Sequence, residues 1–200
     1  MYRLGLTGSI ATGKSTVRRM FEALGVPTFS SDDAVHELYR GEAVPVVEAL
    51  FPGVSHRGEI DRAALSARIL ETPQRLAELE AAVHPLVRRR LTQFLDTAEA
   101  DGARLAVIDI PLLFETRHDY GLDGVAVVAA APEIARARAL ARPGMTVDKL
   151  EAILARQMPQ DEKLKRADHV IATDTSLAET ERAVRALADR LAAQGPIRHQ

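Results

Sequence analysis

Four short stretches of the chain are apolar rather than alternating: YRLGL at 2–6, LAVIDI at 105–110, GVAVVAA at 124–130 and HVIA at 169–172. A strand with one wet face alternates apolar and polar residues, whereas a strand covered on both faces does not. These runs predict the buried strands of a parallel sheet. A fifth run, VPTF at 26–29, carries the same signal more weakly. Helical patterns lie between the runs, so strand and helix alternate along the chain. That alternation predicts an α/β fold, a five-stranded parallel sheet flanked by helices and joined by right-handed crossovers.

The runs are unevenly spaced. About seventy residues separate VPTF from LAVIDI, with helical periodicity and no strand signal, where a crossover needs only about a dozen. The helix candidates are 33–40, 42–50, 61–71, 73–82 and 85–100, with Pro52-Gly53 and Arg57-Gly58 as punctuation. This segment is expected to be a helical substrate-binding insertion over the strand ends, residues 32–100. A second insertion follows GVAVVAA. Pro143-Gly144 marks a turn, Thr146 can cap the next helix, and Leu150, Ile153 and Leu154 give that helix an apolar face. Residues 138–160 are expected to form a helical lid. A last helix, about 176–193, carries Leu177, Val184, Leu187 and Leu191 on one face. The segments 1–31, 101–137 and 161–200 then make up the core.

Composition narrows the classes. A chain of 200 residues, 46% hydrophobic, can bury one sizeable core. A formal net charge of -2 argues against a nucleic-acid binder. With no cysteine there is no disulfide framework, thiolate metal site or cysteine nucleophile. The opening MYRLGLTG does not read as a signal peptide, and no apolar run is long enough to span a bilayer. No membrane partner and a cytoplasmic location are expected. The chain uses arginine for most of its positive charge. Its four lysines are Lys14, Lys149, Lys163 and Lys165, which makes Lys14 conspicuous.

Lys14 lies in Gly8-Ser9-Ile10-Ala11-Thr12-Gly13-Lys14-Ser15, an ungapped G-x-x-x-x-G-K-[ST] between an apolar run and the helical STVRRMFEAL. Glycines let the backbone curl until successive N–H groups face phosphate oxygens, and a helix N-terminus adds partial positive charge. The segment predicts a P-loop NTPase-type core in which Gly8, Ala11, Thr12, Gly13, Lys14, Ser15 and Thr16 hold a nucleotide. Lys14 would reach the β- and γ-phosphates and the Ser15 hydroxyl would ligate Mg²⁺. Loops of this class often carry glycine where this one has Ala11, and alanine is costlier in unusual backbone angles.

The destination of the terminal phosphate is narrowed by what is missing. None of the four lysines follows Asn or Thr, so there is no guanine-reading [NT]-K-x-D segment, and no basic track suits a nucleic-acid motor. A small kinase remains, with two insertions to supply acceptor site and lid. In FSSDDAV, Asp32 or Asp33 could take an acceptor proton, or either could simply cap the following helix. Asp109 ends an apolar run, where an acid is expensive without a task or a partner; it could orient magnesium water or bond the adjoining loop. Arg138 and Arg142, four apart in an arginine-rich segment, could clamp phosphate. His84, before Pro85, could cap a helix start or contact substrate. The six histidines show no metal-ligand spacing.

The segments GLTGSIATGKST, SSDDAVHELY, HPLVRRR, DIPLLFE and ARQMPQDEKLKRADHVI occur in the order and spacing of the dephospho-CoA kinase family. The resemblance covers nearly the whole chain. It implies ATP-dependent phosphorylation of the ribose 3′-hydroxyl of dephospho-CoA, with ATP and Mg²⁺ as cofactors. It also implies a P-loop core, a helical CoA-binding domain and a lid. The family's Asp-Ala-Asp aligns with Ser30, Ser31 and Asp32, so the resemblance selects Asp32 as the catalytic carboxylate. Lys14, Arg138 and Arg142 join it as catalytic, Ser15 and Asp109 as metal-binding, and His84, Arg88, Pro111 and Leu112 as substrate contacts. Where the family often ends its fifth strand with Asp-Asn, this chain has Ala172-Thr173. The alternatives are a P-loop kinase of another small metabolite or nucleotide, or a nucleotide-binding module that does not turn over. Oligomeric state is left open.

Overall fold

A computed structural model describes residues 1–116 and 118–195; residues 196–200, placed with the core by the sequence, lie outside the described residues. The five apolar runs form one parallel sheet. Its strands are β1 (Tyr2–Gly8), β2 (Thr28–Ser30), β5 (Leu105–Asp109), β6 (Gly124–Ala129) and β7 (His169–Ala172), in the order β2-β5-β1-β6-β7. β1 occupies the middle, with Leu6 opposite Asp109 of β5 and Gly8 opposite Val128 of β6. Strand order reverses across β1, so its C-terminal end opens into the crevice where α/β sheets bind ligands. Leu4 and Leu6 of β1 are fully buried. They share a core with Val17, Met20 and Phe21 of α1 (Lys14–Ala23) and Val184, Leu187 and Leu191 of α9 (Leu177–Gln194). The helix at the chain's end opens with a capping box between Ser176 and Glu179.

Two compact units are separable, Met1–Phe29 with Ala98–Gln200, and Ser30–Thr97. The second holds α2 (Ser31–Leu38), α3 (Val44–Leu50), α4 (Arg62–Glu71) and most of α5 (Leu76–Ala100) around Leu38, Val47, Phe51, Val54, Ile60 and Leu65. Residues 138–160 fall in the first unit, on the end of α6 (Pro132–Leu140) and on α7 (Val147–Leu154), which Thr146 caps through Lys149 N. A further short helix, α8 (Gln160–Lys165), leads into β7.

Two expectations for the 32–100 segment are corrected. It is not purely helical: β3 (Ser55–His56) and β4 (Glu59–Ile60) pair as an antiparallel hairpin. Arg57 and Gly58 at its tip both have positive φ, 52° and 82°, as a two-residue hairpin turn requires. Two-residue strands are too short for alternation to register. The proposed helices 73–82 and 85–100 are also not separate. A single turn of 3₁₀ helix at Pro73–Arg75 precedes α5, which runs unbroken through Pro85. His84 is therefore mid-helix and caps no helix start. Proline removes one helical hydrogen bond and crowds the carbonyl four residues back. Leu79 and Val83 before it, and Leu86 and Val87 after it, are all anchored in the same apolar cluster, and that packing carries the helix across.

Pro85 is solvent-exposed. Pro85→Ala should therefore stabilise the protein by about 1–3 kcal/mol, read as a higher urea midpoint at unchanged slope.

Candidate active site

β1 delivers Gly8 to the sheet's central crevice, and the chain must turn there without side-chain bulk. A β-carbon on Gly8 would lie 2.6 Å from the Val128 carbonyl oxygen. The turn continues through Ala11 at φ 61° and Gly13 at φ 91°, both left-handed. For Ala11 this conformation costs about 1–2 kcal/mol; its methyl is buried against Ala139 and Leu150. Gly13 is the N-cap of α1 and provides no side-chain cap; Thr16 N–H donates to the Gly13 carbonyl at 2.9 Å, while the Lys14 and Ser15 N–H groups face the helix start, where an anion is favoured. Ser15 is exposed in that turn.

The loop is braced from several sides. The Thr12 hydroxyl donates to Ser9 O at 2.9 Å. The Thr173 hydroxyl donates to Thr12 O at 2.5 Å. Ile10 N–H donates to Gln157 Oε1 at 3.1 Å. Arg138 donates to Thr173 through both guanidinium ends, to its carbonyl at 2.7 Å and its hydroxyl at 3.3 Å. A cavity of about 400 Å³ is lined by Gly13, Thr16, Arg138, Arg142, Thr173 and Thr175. It is open enough for a nucleoside, and its polar walls are hydroxyls and guanidinium groups.

Charge at the loop is set by one pair. Lys14 Nζ is ion-paired with Asp109 Oδ1. Asp109 is only 4% exposed, and Arg18 Nε approaches its other oxygen at 3.7 Å. A carboxylate this buried is tolerated because cations meet it. The structure thus gathers Gly8, Ala11, Thr12, Gly13, Lys14, Ser15, Thr16, Asp109, Arg138 and Arg142 in one unit. Pro111 follows Asp109, its carbonyl accepting from the Thr7 hydroxyl at 3.2 Å, and Leu112 is 39% exposed.

Asp32, His84 and Arg88 belong to the other unit. Asp32 and Asp33 lie in the first turn of α2, but neither is its cap. Ser30 is, accepting from Asp33 N at 3.1 Å. Ser30 thus caps the helix and leaves Asp32 uncommitted as a cap. His84 and Arg88 are exposed on α5, one turn apart. Among the described residues no group of three or more acids and histidines forms a metal cluster.

A second network was not foreseen. Lys163 is fully buried and ion-paired with Glu115 Oε1 at 2.9 Å, and the same oxygen accepts Met158 N–H at 2.7 Å. Burial pushes the Glu115 carboxyl up, but Lys163 and the Met158 amide outweigh it and hold the group below its ordinary 4.5. The scarcity of lysine that singled out Lys14 applied equally to Lys163.

The dephospho-CoA kinase family model matches residues 2–179. A dephospho-CoA kinase of Rhizobium meliloti is 51% identical over 96% of this chain and 100% of its own length. One of Rhodopseudomonas palustris is 52% identical over 88% and 89%. The crystal structure of a Thermus thermophilus protein superposes with TM-score 0.81 at 38% identity, covering 95% of this chain and 97% of its own. A Campylobacter jejuni dephospho-CoA kinase shares the fold with TM-score 0.68 at 24% identity, over 94% and 96%.

The Glu115–Lys163 pair predicts a pH signature. A carboxyl held low in the folded state stabilises above its unfolded pKa, and the contribution is lost as pH falls through the folded value. Glu115→Gln should cost about 3 kcal/mol near neutrality, as for a buried ion pair deprived of one partner. Its deficit against wild type should shrink below pH 4.5, measured by urea unfolding from pH 7 to 3.

Proposed function

The chain belongs to the dephospho-CoA kinase family, and from this premise we propose that it transfers the γ-phosphate of ATP to the ribose 3′-hydroxyl of dephospho-CoA, yielding coenzyme A and ADP. The observation that carries the reading beyond family membership is the glycine loop closed by the Lys14–Asp109 pair. That loop offers an anion an N-terminal helix turn without a side-chain cap, together with one lysine, beside a cavity of nucleoside size.

In the proposed reaction Asp32 accepts the proton of the 3′-hydroxyl as its oxygen attacks the γ-phosphorus. The bond from that phosphorus to the β,γ-bridging oxygen breaks, and ADP takes the electron pair. The transition state asks for position and charge neutralisation more than covalent help. Lys14 leaves Asp109 for the β- and γ-phosphate oxygens. Arg138 and Arg142 meet the transferring group from the nucleotide side, and the Thr173 carbonyl fixes the first of them. The Ser15 hydroxyl and the Asp109 carboxylate are hard oxygen donors of the kind Mg²⁺ takes, and they would hold it. Bound there, the ion would neutralise charge on the phosphate oxygens.

We assign acceptor binding to His84 and Arg88 of the Ser30–Thr97 unit, and further acceptor contacts to Pro111 and Leu112. Residues 138–160 serve as the lid that excludes water. Among the described residues no helix is long and apolar enough to cross a membrane; a cytoplasmic enzyme without membrane or nucleic-acid partner fits this reading.

The test is acceptor-dependent ADP release. Dephospho-CoA should stimulate it, while AMP, shikimate and gluconate should not; AMP as the better acceptor would overturn the substrate assignment. Asp32→Asn should lower kcat by about 10²–10⁴-fold and leave ATP affinity nearly unchanged, with Asp33→Asn mild. Equal, mild losses in the two variants would remove Asp32 from the catalytic role.

A further inference from the structure

We propose that Gln157 is a positioning residue of the phosphate loop: by taking the Ile10 N–H, its carbonyl keeps the neighbouring Ala11 in the left-handed conformation that the nucleotide-holding loop requires. The inference rests on the loop's being a nucleotide site, not on which acceptor is phosphorylated.

Two observations meet at this point. The loop's turn passes through an alanine at φ 61°, a conformation that an alanine keeps only where its surroundings over-determine it. On the inner side the surroundings are Ala139 and Leu150, packed against the methyl group. Just before it along the chain, the Ile10 amide is held by a side chain 147 residues away. An N–H that does not serve a ligand must be satisfied elsewhere. Gln157 fixes where this one points, and with it the Ser9–Ile10 peptide plane, one residue before Ala11.

Gln157 can hold the loop only if its own backbone is held. Met158 N–H is bonded to Glu115 at 2.7 Å, Gln160 Nε2 donates to Ala130 O at 2.8 Å, and Lys163 is paired with Glu115 at 2.9 Å. These three tethers fasten the segment to the loop after β5 and to the end of β6. The buried Glu115–Lys163 pair, which no phosphate group reaches in the reaction above, thereby acquires a task. It anchors the residue that sets the loop.

ADP binding, measured calorimetrically without any acceptor, tests this. Gln157→Met keeps the side chain's length and bulk but has no carbonyl. It should bind ADP about five- to tenfold more weakly, the scale of one lost hydrogen bond and the strain it no longer holds. Ala11→Gly accepts a left-handed φ freely, so the same Gln157→Met change made on Ala11→Gly should weaken ADP binding less than twofold. This coupling is what a merely structural role would not produce. Unchanged ADP affinity in Gln157→Met, whether or not its melting temperature falls, would overturn the proposal. So would an equal loss in both backgrounds. Failure of dephospho-CoA as acceptor would leave the ADP result unaffected, so the two readings fail separately.

Discussion

A carboxylate deprived of water at the end of β5 sets the terms for the centre of this protein. Parallel pairing puts Asp109 opposite Leu6 of β1, two residues before the glycine at which the phosphate loop starts. An ionised acid there demands a cation, and Lys14 meets it from the first turn of α1, with Arg18 one turn further on. The sheet register, the start of the helix and the direction of the lysine are thus bound to one another. The lysine is held against an anion, so any phosphate oxygen that took it would compete with a carboxylate rather than with water.

Much of this was legible in the sequence because it is local and repetitive. Buried strands read as apolar runs, and the octapeptide from Gly8 to Ser15 carries its own geometry. What escaped was short or distant. The Ser55–Ile60 hairpin is too brief for a period of two to show. Pro85 reads as a helix boundary to any local rule, and only the shared packing of Leu79, Val83, Leu86 and Val87 reverses that reading. The Ser30 cap lay in plain view, hidden by two aspartates that are better known as caps.

The site residues divide along the same line. Those of the phosphate loop are adjacent in sequence and could be found together. Glu115 lies in a different stretch from Gln157 and Lys163, and only the folded chain brings them to one place. The first two make contacts that involve backbone N–H groups, of Met158 and Ile10, which no side-chain pattern announces. Rarity was the one available signal, for a lysine in a chain that prefers arginine is there for a reason that arginine does not satisfy. A compact ammonium has three N–H groups to satisfy in an enclosed site, whereas a guanidinium has five.

Thr173 has a consequence of another kind. One side chain donates to the glycine loop at Thr12 and accepts from Arg138, so the loop and the arginine share a single hydroxyl. Whatever draws Arg138 aside changes the hold on the loop, and whatever reshapes the loop changes the seat of the arginine. Thermodynamic linkage makes such an influence reciprocal. In the proposed reaction, the loop's hold on phosphate and the arginine's hold on the transferring group would then not be independent of each other.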